Sequence, residues 1–307
     1  MKSRRKRRRP RFRGRAATSI LDTFSPQDLA TWEGESSVVQ TYSDRVYFDL
    51  ERQRISQHDQ LCAALRSSSS TEVPLEGWVR VVDWRWNLTP LSAEGSLIGI
   101  GGRFNIGREL DRAKGKEFPC IYVAQDTGTA YCEHFGGLIG QRVSELTLGE
   151  LALRTQESFT TFVLRGRVEH AFNLRDETRL AEFTRIIGRF DLSEDTKRYQ
   201  RRHGLRPRSL VRSPRKLLQL ALLSPHGWRR ECQLGVPAPG QILGRFIRDA
   251  GFEAALYPSQ RGGQLCLAVF PENFVASTSR IEVAGGIPDG ANCTVLDRHN
   301  LCLKSPD

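Results

Sequence analysis

Residues 120–135 read Cys120-Ile121-Tyr122-Val123-Ala124-Gln125-Asp126-Thr127-Gly128-Thr129-Ala130-Tyr131-Cys132-Glu133-His134-Phe135, and they decide the fold class. The first five are apolar, aromatic or β-branched, the composition of a strand that packs on neighbours. Asp126-Thr127 then offers an N-cap, which predicts a helix over residues 130–138. A strand that runs at once into a capped helix calls for a mixed architecture. In that helix Tyr131 and Phe135 fall at i and i+4 and make one aromatic face, so Glu133 points elsewhere, toward the end of the sheet. Placed near the helix start, its carboxylate is expected to be favoured by the helix dipole. His134 beside it could serve as an acid or base, yet it diverges by about 100° and is expected to face away.

Working outward, Trp78-Val79-Arg80-Val81-Val82 and the segments 161–168 and 265–270 are also strand-like. Helical spacing appears at Leu180, Phe183, Ile187 and Phe190, and at Leu243, Phe246, Ile247 and Ala250, the latter closed by Gly251. The fold class is therefore α+β. Ser25-Pro26-Gln27-Asp28 looks like a helix start, a second helix is expected over 56–65, and the serine-rich run 66–74 reads as a linker. The expected organisation is a basic tail (1–16), a helical extension with its linker (17–74), a catalytic domain (75–284) and a C-terminal extension (285–307).

The chain has 307 residues and a formal net charge of +11, but that charge is localised. Residues 1–15 hold ten Lys or Arg and residues 196–216 hold nine, with no acid in either; the rest carries 27 basic and 35 acidic residues. Such runs suit a polyanion, including nucleic acid at residues 1–15, and equally suit a solvated arm. No apolar run is long enough to span a bilayer, so no membrane role is expected. The seven cysteines form no C-x-x-C pair and the six histidines have no ligand-like spacing. A reducing, cytoplasmic setting without a metal is the expectation.

Two loops carry candidate chemistry. Gly101-Gly102-Arg103-Phe104-Asn105-Ile106-Gly107 sets an arginine among glycines, where backbone can approach a ligand and a guanidinium can hold a phosphate by two hydrogen bonds. It is neither a Rossmann fingerprint nor a Walker loop. Leu256-Tyr257-Pro258-Ser259-Gln260-Arg261 follows a short strand, and the proline confines Tyr257 to an extended shape that fixes where Ser259 emerges. Without a G-x-S-x-G elbow, Ser259 is expected to position a ligand rather than attack it.

These segments, in this order, resemble the RES domain family over roughly residues 75–284: Trp78-Val79-Arg80-Val81-Val82, the Arg103 loop, Ile121-Tyr122-Val123, the helix with Ala130 and Glu133, and the stretch from Gly251 to Arg261. The resemblance implies an ADP-ribosyltransferase-like mixed split-sheet core with surrounding helices. It also implies an NAD-degrading toxin enzyme, an NAD phosphorylase or NAD glycohydrolase. NAD is then a substrate rather than a cofactor, and inorganic phosphate a possible co-substrate. Carried over by position, Arg103, Glu133 and Ser259 would be catalytic. Arg80, Tyr122 and Arg261 would bind NAD, with Arg85 competing with Arg80 for the upstream arginine role. The family further implies an antitoxin partner bearing a helix-turn-helix domain. A protein ADP-ribosyltransferase, or a non-catalytic nucleic-acid-binding protein using the basic segments, are the alternative readings.

Overall fold

The computed structural model describes residues 26–136, 159–222 and 228–303, so the basic tail and the far end of the helix expected to reach Leu138 lie outside the described residues. The chain divides into two compact units, Met1–Thr41 and Tyr42–Asp307. The helix α1 (Pro26–Ser56) begins in the first and runs on into the second, and α2 (His58–Arg66) follows it. No helix among the described residues is long and apolar enough to cross a membrane.

The larger unit is built on one eight-stranded sheet: β1 (Thr71–Pro74), β2 (Trp78–Asp83), β3 (Ile121–Ala124), β4 (Phe159–Asn173), β5 (Ala254–Pro258), β6 (Leu265–Val269), β7 (Arg280–Val283) and β8 (Val295–Leu296). The main order is β2-β3-β6-β5-β4-β7-β8, with β1 and β2 both pairing β4. All pairings are antiparallel except β4 with β5. This is the α+β fold with a mixed sheet that the sequence predicts. The split lies between β2 and β3, whose pairing is confined to Val79↔Ala124, whereas β2 matches β4 along all six of its residues.

Alternation along the strands separates two cores. Val79, Ala255, Tyr257, Cys266 and Ala268 face one, together with α2, α4 (Ala181–Ile187), α6 (Pro214–Ala221) and α8 (Pro239–Asp249). Trp78, Val82, Ala254, Leu256, Leu267 and Val269 face the other, closed by the loop around Leu91 and by Leu296 and Cys302. Between the helices named lie α3 (Thr127–Phe135), α5 (Glu194–Arg202) and α7 (Trp228–Gln233).

Two expected boundaries are corrected. The segment 66–74 is a linker only in part, because Thr71–Pro74 is strand β1, registered on β4 from Thr71↔Ala171 to Pro74↔Arg167. Leu61 and Leu65 of the expected helical extension are fully buried in the first core. The C-terminal stretch likewise supplies β8 to the sheet edge. The compact body is thus wider than residues 75–284.

Candidate active site

Where β2 and β3 part, a cavity of about 480 Å³ opens on the helix-covered face, within the range of roughly 300–1,000 Å³ common to small-molecule sites. Val79 and Val81 line it from β2, Tyr122 from β3, Glu133 and His134 from α3, and Arg103, Arg229 and Arg261 from the loops and α7.

The helix α3 is capped as the sequence predicts. Asp126 accepts a hydrogen bond from the Thr129 backbone N–H at 2.8 Å, and Gly136 ends the helix with φ +80°. The helix starts at Thr127, however, so Glu133 sits in its last turn. The dipole there is negative, and the expected support for the carboxylate is absent. Its support comes from across the cavity: Ser259 Oγ donates to Glu133 Oε1 at 2.6 Å. Ser259 Oγ itself accepts the Arg261 and Gly262 backbone N–H groups at 3.1 and 2.8 Å. Ser259 is 7% exposed, and its hydroxyl hydrogen is directed at the carboxylate.

Arg261 packs over the end of α3, so close that a Cβ on Gly136 would lie 2.7 Å from its Nη1. Burial holds its guanidinium below the ordinary arginine range, the Glu133 charge opposes that shift, and the Arg103 and Arg229 charges add to it. Three guanidiniums and one carboxylate therefore share this space.

Arg103 is buried, and its Nη1 donates to the carbonyls of Leu222 and Ala221 at 2.9 and 3.3 Å. The loop that carries it is locked from below. Asn105, fully buried, accepts from the Gly102 N–H and from the Tyr122 hydroxyl, both at 2.9 Å, and donates to the Ser96 and Phe118 carbonyls. Gln241 of α8 donates to the carbonyls of Ile100, Gly102 and Asn105 at 2.8, 3.1 and 2.9 Å. Buried side-chain amides with every group satisfied hold one loop shape. Tyr122 also accepts the Phe104 N–H at 2.9 Å, and burial pushes its hydroxyl well above the usual tyrosine range. It presents its ring, with the hydroxyl neutral, to the cavity.

The structure thus brings together Arg103, Tyr122, Glu133, Ser259 and Arg261. It does not bring Arg80, which lies between the cavity-lining Val79 and Val81 and so projects from the opposite face, where its Nη2 donates to the Ser92 carbonyl at 2.7 Å. Arg85 also stays outside, paired at 3.3 Å with Asp83. Arg80 Nε has no partner, and burial lowers its pKa to about 10. This shift disfavours the charged form by on the order of 3 kcal/mol. Arg80→Met should consequently leave the unfolding free energy from urea titration unchanged or raised; a fall of more than about 1 kcal/mol would show that the guanidinium has a role the contacts do not reveal.

Arg229 carried no signal in the sequence, and His134 is placed otherwise than the sequence predicts. Arg229 stands on the short helix α7 with no motif around it. His134 was expected to face away, yet it lines the cavity with its Nε2 3.4 Å from Asp83 Oδ1.

No curated protein matches the chain. A solved structure, the crystal structure of the M. tuberculosis MbcT-MbcA toxin-antitoxin complex, is 14% identical, with 68% of this chain and 80% of that chain covered at a TM-score of 0.38. The model of the RES domain matches residues 177–287. That segment contributes Arg229 and Arg261 to the cavity lining and Ser259 to the pair with Glu133, while Arg103, Tyr122 and Glu133 precede it and join it in space. The likeness to the RES domain family is therefore carried by residues 177–287.

Proposed function

We propose that this protein cleaves the nicotinamide–ribose bond of NAD. The observation that carries the reading is the pairing of Glu133 with Ser259 at 2.6 Å in a cavity also lined by Arg103, Arg229 and Arg261. NAD combines a pyrophosphate with a cationic leaving group on ribose. The guanidiniums suit the first, since crowded cations are neutralised by an anion. The carboxylate suits the second, since departure of the base develops positive charge on the sugar and a fixed carboxylate stabilises it. The Tyr122 ring supplies a flat surface for the nicotinamide riboside.

In this reading Ser259 holds one carboxylate oxygen, so that the charge keeps its place as the bond lengthens. Ser259→Ala should lower kcat by roughly 10- to 100-fold with a smaller change in KM, the loss of one hydrogen bond to a charged group. An unchanged kcat would remove Ser259 from the machinery. The reading also carries the family's toxin role and a protein antitoxin as partner, supported by the RES domain match. Incubation of the purified chain with NAD, with products separated by chromatography, tests it: nicotinamide should appear in many-fold excess over protein. Label transferred from NAD to a protein acceptor, without free ADP-ribose, would favour a protein ADP-ribosyltransferase.

A further inference from the structure

On the cavity wall beside Glu133, the geometry points to a second catalytic group, His134 held by Asp83, acting as the base that deprotonates an attacking water, so that water is the acceptor of the ADP-ribosyl group. The inference rests on the NAD reading above and completes it.

Alternation along β2 places Asp83 on the same face as Val79 and Val81, which line the cavity. From there its Oδ1 meets His134 Nε2 at 3.4 Å. His134 is on α3 immediately after Glu133, and both reach the one cavity. The hydrogen bond from His134, ahead of opposing burial, holds the Asp83 carboxyl below the usual carboxylate range. Arg85 also contacts Asp83, at 3.3 Å. An imidazole that donates Nε2–H to a carboxylate carries its lone pair on Nδ1, the arrangement of a base oriented by a third group. The ring is about a quarter exposed, edge-on to Phe135 with centroids 4.7 Å apart, which leaves a path for water. The other charges facing this space are Glu133 on the same helix and Arg103, Arg229 and Arg261 across it.

The chemistry discriminates between acceptors. Phosphate at neutral pH is already an anion and attacks without losing a proton. Water must lose one as its oxygen bonds to carbon, so a base is useful only to hydrolysis. In the step, the C1–N bond of the nicotinamide riboside breaks and its electron pair stays with nicotinamide, which leaves neutral. A water lone pair forms the new C1–O bond, the water proton passes to His134 Nδ1, and Asp83 stabilises the imidazolium until the proton reaches solvent. The products are ADP-ribose, nicotinamide and one proton.

The test is product analysis by phosphorus NMR with NAD and millimolar inorganic phosphate, on wild type, His134→Gln and Asp83→Asn, with pH–rate profiles. ADP-ribose should be the product even in phosphate. The wild-type kcat should fall on the acid side as an imidazole takes up its proton. His134→Gln should lose about 100-fold in kcat at near-constant KM, together with that acid limb. Asp83→Asn should lose less, at near-constant KM. ADP-ribose-1-phosphate as the main product, or a wild-type profile with no acid limb, overturns the inference while leaving NAD cleavage intact. No release of nicotinamide by wild type overturns both. Should His134→Gln fail to fold, the wild-type profile and product still decide.

Discussion

Glu133→Gln is expected to reduce kcat for nicotinamide release by at least two orders of magnitude with KM for NAD nearly unchanged. Glutamine keeps the shape and can still accept the Ser259 hydrogen bond, now 2.6 Å to Oε1, so the cavity should survive the change. What disappears is a negative charge beside the sugar, and that charge matters only when positive charge develops there. A contribution on the order of 3 kcal/mol to the transition state alone corresponds to roughly 100-fold in rate. The thermal midpoint should move little, which separates the effect from unfolding. A variant with wild-type kcat would show that the carboxylate is not part of the chemistry.

The largest expected loss of stability comes from Gly244→Ala, a substitution that usually helps a helix. In an exposed helix interior, alanine gains about 1 kcal/mol over glycine. Gly244 instead lies where α8 crosses the loop of Arg103, and an added Cβ would collide with the Phe104 carbonyl, meeting its carbon at 2.8 Å and its Cα at 3.0 Å. The obstructing atoms are backbone, so no side chain can swing aside. Either α8 or the loop must move, at a cost of roughly 1–3 kcal/mol or more. The unfolding free energy from urea titration should fall by that amount. Activity should fall with it, because the displaced residue adjoins Arg103. An unchanged or raised unfolding free energy would show that the crossing is looser than the geometry implies.

Much of this site was legible in the sequence for identifiable reasons. Asp126 announces the start of α3, and proline before Ser259 fixes the direction in which the hydroxyl leaves the strand, whereas the meeting of Glu133 and Ser259 across 126 residues was implied only by the family resemblance. Arg80 was misplaced because β2 is covered on both faces. Trp78, Val79 and Val82 are all buried, so the strand shows no polar alternation from which to tell the cavity side from the other. The dipole argument for Glu133 failed through a shift of three residues in the helix start, which carried the carboxylate to the opposite end. His134 was misread because the face of a lone helix says nothing of a strand end such as Asp83 that can draw a neighbouring side chain into the same cavity. Gln241 left no signal at all: a single glutamine in an amphipathic helix reads as solvated, and only the packed loop shows that it holds three carbonyls.

The most direct measurement is a crystal structure of the Glu133→Gln protein with NAD bound. The account predicts the nicotinamide riboside against the Tyr122 ring, its C1 within about 4 Å of the residue-133 amide, a distance from which a carboxylate would act strongly on developing charge, and the pyrophosphate on Arg103, Arg229 or Arg261. NAD bound elsewhere, or in this cavity with its glycosidic bond turned away from residues 133 and 259, would contradict it.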